Sequence, residues 1–179
     1  MLDTVFGLPV HPLVVHATVV LVPLAALAVL LAAVWPRFRR WAGVLPLVLA
    51  TVAVVLTPLS TQSGESLEER VGESDLVETH AQLGDGLLRW VALLWVGALL
   101  LFLVERQARR AAAAAAAGGS ARTSRALAVV ALVVALVGSL GTTVQVVRIG
   151  HTGAQAAWSD VATSTVAPAG ESGADDDDD

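Results

Sequence analysis

The chain has 179 residues, 55% of them hydrophobic, a mean hydropathy of +0.71 and a formal net charge of −5. That length gives room for one domain, and a chain this apolar needs lipid as its solvent. The absence of cysteine excludes disulfides, CxxC redox chemistry, iron–sulfur ligation and covalent haem attachment; the acidic balance argues against nucleic-acid binding, and no Ser-His-Asp grouping, phosphate loop or dinucleotide motif is present.

Four stretches reach the roughly 20 apolar residues needed to span a hydrocarbon core about 30 Å thick. The first, about residues 12–35, is apolar apart from His16 and Thr18. Arginines follow it rather than precede it and Asp3 is the only early charge, so it reads as an uncleaved anchor, not a signal peptide. Pro23 is expected to kink it. The second helix, about residues 41–59, ends in Thr57-Pro58. The third, about residues 76–110, begins outside the membrane. There Asp75 and Glu78 resemble a capping box, and Leu76, His80, Leu83 and Leu87 recur at helical spacing. An alanine run over residues 111–117 extends it, and Gly118 and Gly119 stop it. The fourth, about residues 124–149, carries a small-residue stripe of Ala128, Ala131, Ala135, Gly138, Ser139 and Thr142. In lipid, packing rather than hydrophobicity joins helices, so this stripe is the expected bundle face. The reading is an all-α, integral membrane four-helix bundle over residues 1–158, followed by an acidic disordered tail over 159–179.

Charge sets the orientation. Arg37, Arg39 and Arg40 follow the first span, and Arg106, Arg109, Arg110, Arg122 and Arg125 follow the third, eight of eleven arginines in all. The positive-inside rule assigns these loops to the cytoplasm. The acids, Glu105 excepted, fall on the other side, so both chain ends are expected to be extracytoplasmic in a multi-pass protein of the bacterial cell membrane. Trp35, Trp41, Trp90 and Trp158 read as interfacial belt residues.

With that topology the four histidines, His11, His16, His80 and His151, fall at or near the outer interface. Glu65 and Glu69, four apart, share a helix face at the same level. Imidazole and carboxylate together suit a divalent metal ion, and two histidines on facing helices could clamp haem b axially, for electron transfer to a partner. Against this, His11 and His16 are five apart, about 140° on a helix, and converge only if the helix starts after His11. Three alternatives stay open: a metal site, a haem site, and structural histidines in a non-catalytic membrane subunit or scaffold that binds a membrane-protein partner or a second copy. A small transporter fits less well, because transport sites are built from midplane polar groups and only Thr51, Gln145 and the Thr142–Thr143 pair offer any.

The opening Gly7-Leu8-Pro9-Val10-His11-Pro12-Leu13-Val14-Val15-His16 resembles the G-L-P-x-H-P-x-x-V-H start of bacterial four-helix membrane proteins catalogued as domain of unknown function 2231. Ser63-Gly64-Glu65, Glu69, Val77-Glu78-Thr79-His80 with Leu83-Gly84, and Ile149-Gly150-His151-Thr152-Gly153-Ala154 with Trp158 are similar to its actinobacterial branch. The resemblance covers about residues 5–158. It implies a four-helix membrane domain and a recurring use of these histidines and acids, and it supplies no activity.

Overall fold

The computed structural model describes residues 4, 5, 8–71, 75–119 and 124–164. They form five helices: α1 (Val10–Val34), α2 (Pro36–Ala42), α3 (Leu45–Val71), α4 (Asp75–Ala116) and α5 (Arg125–Ser164). A two-residue antiparallel pair, β1 (Thr4–Val5) with β2 (Leu8–Pro9), precedes them, a small departure from the all-helical expectation. Four helices, α1, α3, α4 and α5, are long and apolar enough to cross a membrane.

The spans are helical because lipid offers the backbone no hydrogen-bond partner, so each segment satisfies its own N–H and C=O groups. Four of their hydroxyls are satisfied within the same helix. Thr18, Thr51, Thr57 and Thr143 each donate to the carbonyl four residues back, at 2.8–2.9 Å. Around the bundle α1 packs on α3 and α5, and α4 packs on α3 and α5, leaving α1 and α4 on a diagonal. The core between them is Val22, Ala25, Val29, Ala50, Ala53, Val91 and Leu94 with the small residues of α5. Large aliphatics such as Val20, Leu27, Val55, Leu140 and Val144 point outward, which is the face lipid solvates.

The tightest contact is the antiparallel seam of α4 and α5. A Cβ added to Gly97 would lie 2.6 Å from the Cα of Ala135, and one added to Gly138 would lie 2.7 Å from the backbone nitrogen of Leu94. One step outward Gly141 receives the ring of Trp90, and Gln145 lies over Gly86. Each step of three or four residues forward on α5 is matched by a similar step back on α4, the spacing that keeps one helix face against its partner. The stripe expected to face the bundle does so: Ala131, Ala135, Gly138, Ser139 and Thr142 are buried. Trp90, expected in the interfacial belt, is half-buried in the seam instead.

Several boundaries differ from the sequence reading. Helix α3 does not end at Thr57-Pro58 but runs through Pro58 to Val71. An interior proline removes one backbone hydrogen bond at about 3 kcal/mol. Thr57, fully buried, packs inside the bundle on the near side of it, and Thr61 closes its hydroxyl onto the Pro58 carbonyl on the far side. Helix α5 continues to Ser164, past the expected end near 149 and into the segment assigned to the tail; residues 165–179 lie outside the described residues. Arg37, Arg39 and Arg40 sit on α2, a helix the sequence reading treats as a loop, which stops at Gly43 with φ +59°. Helix α4 stops as the glycines require: Gly118 has φ +80°, its N–H bonds the Ala115 carbonyl, and the Gly119 N–H bonds the Ala114 carbonyl.

Two glycine substitutions separate seam packing from helix propensity. Gly138→Ala is expected to lower unfolding stability by about 1–3 kcal/mol through overpacking. Gly150→Ala, whose Cβ meets nothing within 4 Å, is expected to be neutral or to gain up to about 1 kcal/mol. Thermal or denaturant unfolding of the two purified variants measures the difference.

Candidate functional site

Helix ends sort the polar groups into two sites. At the C-terminal end of α4, Glu105 accepts from Arg39 of α2 (Nε to Oε2, 3.3 Å) and from Arg109 one turn on (Nε to Oε1, 3.2 Å). The Arg39 Nη1 also donates to the Ala32 carbonyl at 3.1 Å, and the Arg109 Nη2 to the Arg40 carbonyl at 2.9 Å. One carboxylate thus pins α2 and the end of α1 against α4. The sequence reading treats Glu105 only as the one acid on the arginine side; Arg109 is its i+4 neighbour, but Arg39 lies 66 residues away, and no local pattern announces it.

This clamp also fixes which ends meet. The C-terminal end of α1 lies with the C-terminal end of α4, so the start of α1, carrying His11 and His16, lies at the opposite end with the start of α4. His80 is there, half-buried against α5. Its Nδ1 is 3.1 Å from the Ile149 carbonyl and 3.4 Å from the Thr152 Oγ1, and Gly153 leaves room for the ring. A carbonyl only accepts, so this bond places the ring proton on Nδ1. One turn deeper the Gln145 amide donates to the Leu83 carbonyl at 2.6 Å. In a segment without water a buried amide is held by such a partner.

Of the other candidates, His16, His151 and Glu65 are exposed. Helix α1 starts at Val10, before His11, so residues 11 and 16 share one helix and stand about 140° apart; the condition for their convergence is not met. The side chain of His11 lies outside the described residues, and His16 is exposed. His151 is exposed on α5 although two residues from the His80 contact. Glu65 and Glu69 do share a helix, since α3 reaches Val71; Glu65 is exposed and the Glu69 side chain lies outside the described residues. Among the described residues no group of three or more histidine, aspartate or glutamate side chains is placed to hold a metal ion.

Two further polar features lie inside the spans. The Trp95 indole donates to the Thr51 hydroxyl at 2.9 Å, tying α4 to α3. The Ser139 and Thr142 hydroxyls are buried with no hydrogen-bond partner among the described residues.

Residues 7–165 match the sequence profile of a family described as "Predicted membrane protein (DUF2231)". No curated protein and no solved structure matches the chain.

The two histidines on either side of one helix contact make a direct comparison. His80→Ala is expected to lower unfolding stability by about 1–2 kcal/mol, the loss of a buried hydrogen bond and its packing, while exposed His151→Ala is expected to stay within about 0.5 kcal/mol. Chemical unfolding of the purified variants reads both.

Proposed function

From the premise that the chain belongs to the DUF2231 family of predicted membrane proteins, we propose that it is a non-catalytic helical scaffold of the bacterial cell membrane, with both ends extracytoplasmic. The observation that carries this reading is the use of His80. Its Nδ1 is committed to an interhelical hydrogen bond with Ile149. At 1.5 Å per residue, the 42 residues of α4 and the 40 of α5 make rods of about 60 Å, twice the hydrocarbon thickness. Their histidine ends, with the polar end of α3, project as a post bearing Glu65, Asp75, Glu78 and Asp85, all exposed. Such a post suits a membrane-protein partner with a basic outer surface, or a second copy of the chain.

A second reading is favoured by the same hydrogen bond. With the proton fixed on Nδ1, the Nε2 lone pair of His80 is free to bind iron or a divalent ion, the arrangement that ligating histidines adopt. In that reading haem b or a metal ion is held by His80, with His11, His16, His151, Glu65 and Glu69 as the further candidate ligands, and the protein passes electrons.

Absorbance and elemental analysis of the purified protein separate the two. The scaffold reading predicts no Soret band and less metal than one ion per chain, and a deletion phenotype that His16→Ala and His151→Ala do not reproduce. A Soret band, or one equivalent of metal, that disappears in His80→Ala would overturn it. Reporter fusions test orientation: the segments 35–44 and 117–124 are expected to read as cytoplasmic, and fusions after α5 as extracytoplasmic. The reverse pattern would reject the placement.

A further inference from the structure

The arginine end carries more positive charge than its clamp uses. Arg37, Arg39 and Arg40 on α2, with Arg106, Arg109 and Arg110 at the end of α4, face one carboxylate among the described residues, Glu105. Glu105 engages Arg39 and Arg109. Arg37, Arg40, Arg106 and Arg110 are exposed and have no ion pair among the described residues. The clamp holds the backbone of α2 to α4 through the Arg40 carbonyl, so the two arginine-bearing elements share one end of the bundle.

Beside them is a shallow depression. Arg39 and Glu105 stand at its mouth, and below them Ala32, Pro46, Leu47, Ala98, Leu101 and Phe102 line it. Its polar rim and apolar floor have the order of the bilayer edge: charge outside, hydrocarbon inside. Helix α2 supplies the third element. Trp35, Phe38 and Trp41 form a ladder along it, with ring centroids 6.4 and 5.8 Å apart, and both tryptophans are exposed. Aromatic rings of this kind settle at the headgroup level, and a short helix that alternates them with arginines lies in the interface.

We propose that the corner formed by α2, the start of α3 and the end of α4 is a binding site for one anionic phospholipid. The phosphate is met by Arg37, Arg40, Arg106 and Arg110, and the acyl chains lie against the outer surface of the bundle beside the Arg39–Glu105 pair. Charge complementarity selects the occupant. A zwitterionic lipid brings a choline or ethanolamine cation to a rim that already repels cations, whereas phosphatidylglycerol brings only the phosphate. Four basic groups near one anionic headgroup separate the two lipid classes by at least about tenfold in affinity.

The test uses the full chain purified in a neutral detergent and titrated with phosphatidylglycerol, phosphatidylcholine or glycerol 3-phosphate, read by thermal unfolding and by lipid retention in native mass spectrometry. Phosphatidylglycerol is expected to raise the melting temperature and to be retained as one molecule per chain; the other two are expected to do neither. The combined variant Arg37→Gln, Arg40→Gln, Arg106→Gln, Arg110→Gln leaves the Glu105 clamp intact. It is expected to need at least about ten times more phosphatidylglycerol for the same shift. In the unaltered protein the shift is expected to shrink between about 0.05 and 1 M salt, a readout that needs no variant. Equal shifts with phosphatidylcholine, a shift insensitive to salt, or an unchanged response in the variant would overturn the proposal. A full shift with glycerol 3-phosphate alone would assign the site to a free anion and overturn the lipid.

Discussion

Between Gly97 and Ala135, and again between Gly138 and Leu94, the backbones of α4 and α5 approach so closely that one added methyl group has no room. In water a helix pair is driven together by apolar burial; in lipid that drive is absent, because the surrounding tails are as apolar as the side chains. What remains is close packing and the polar bonds it permits. The glycines set the distance, and the distance lets Gln145 reach the Leu83 carbonyl and His80 reach the Ile149 carbonyl. The rest of the bundle builds on this pair, with α3 and α1 completing the ring against it.

The two ends of the bundle solve different problems. At the histidine end, uncharged groups close the seam, so the helices stay paired beyond their apolar lengths. At the arginine end, the problem is a short connection: α1 must turn and return as α3 within a few residues. Trp35 and Pro36 begin α2, Gly43 ends it with a positive φ, and Glu105 ties it down through Arg39 and Arg109. A carboxylate held between two arginines at the membrane edge is satisfied on both oxygens, which is the condition for keeping a charge there. The same clamp leaves Arg37, Arg40, Arg106 and Arg110 exposed.

Much of the fold is legible in the sequence, for definite reasons. Span length follows from bilayer thickness, and the face of α5 follows from the three- and four-residue spacing of its small residues. The stop of α4 follows from Gly118, which alone among the nearby residues takes a positive φ without strain. What is not legible depends on contacts distant in the chain. Pro58 reads locally as a helix end, yet the packing of α3 carries the helix through it. Trp90 reads as a belt residue, yet Gly141 gives its ring a buried seat. Glu105 reads as a stray acid, and its distant partner Arg39 is set by the turn of α2. The histidines show the same limit. Their common level can be read from topology, but convergence is a matter of azimuth, and the start of α1 at Val10 turns residues 11 and 16 apart. His80 is legible as a member of the apolar stripe of α4; that its ring meets Ile149 is not.

Because the chain contains no cysteine, disulfide cross-linking in native membranes tests the α4–α5 seam without background. The Trp90 ring lies directly against Gly141 across the seam, so Trp90→Cys removes the indole and leaves room there for two sulfurs. Trp90→Cys with Gly141→Cys is expected to oxidise to an intramolecular disulfide in high yield, and Trp90→Cys with Leu140→Cys, on the exposed face of α5, is expected to remain reduced. Equal yields for the two pairs, or a link in the second alone, would contradict the packing from which everything else follows.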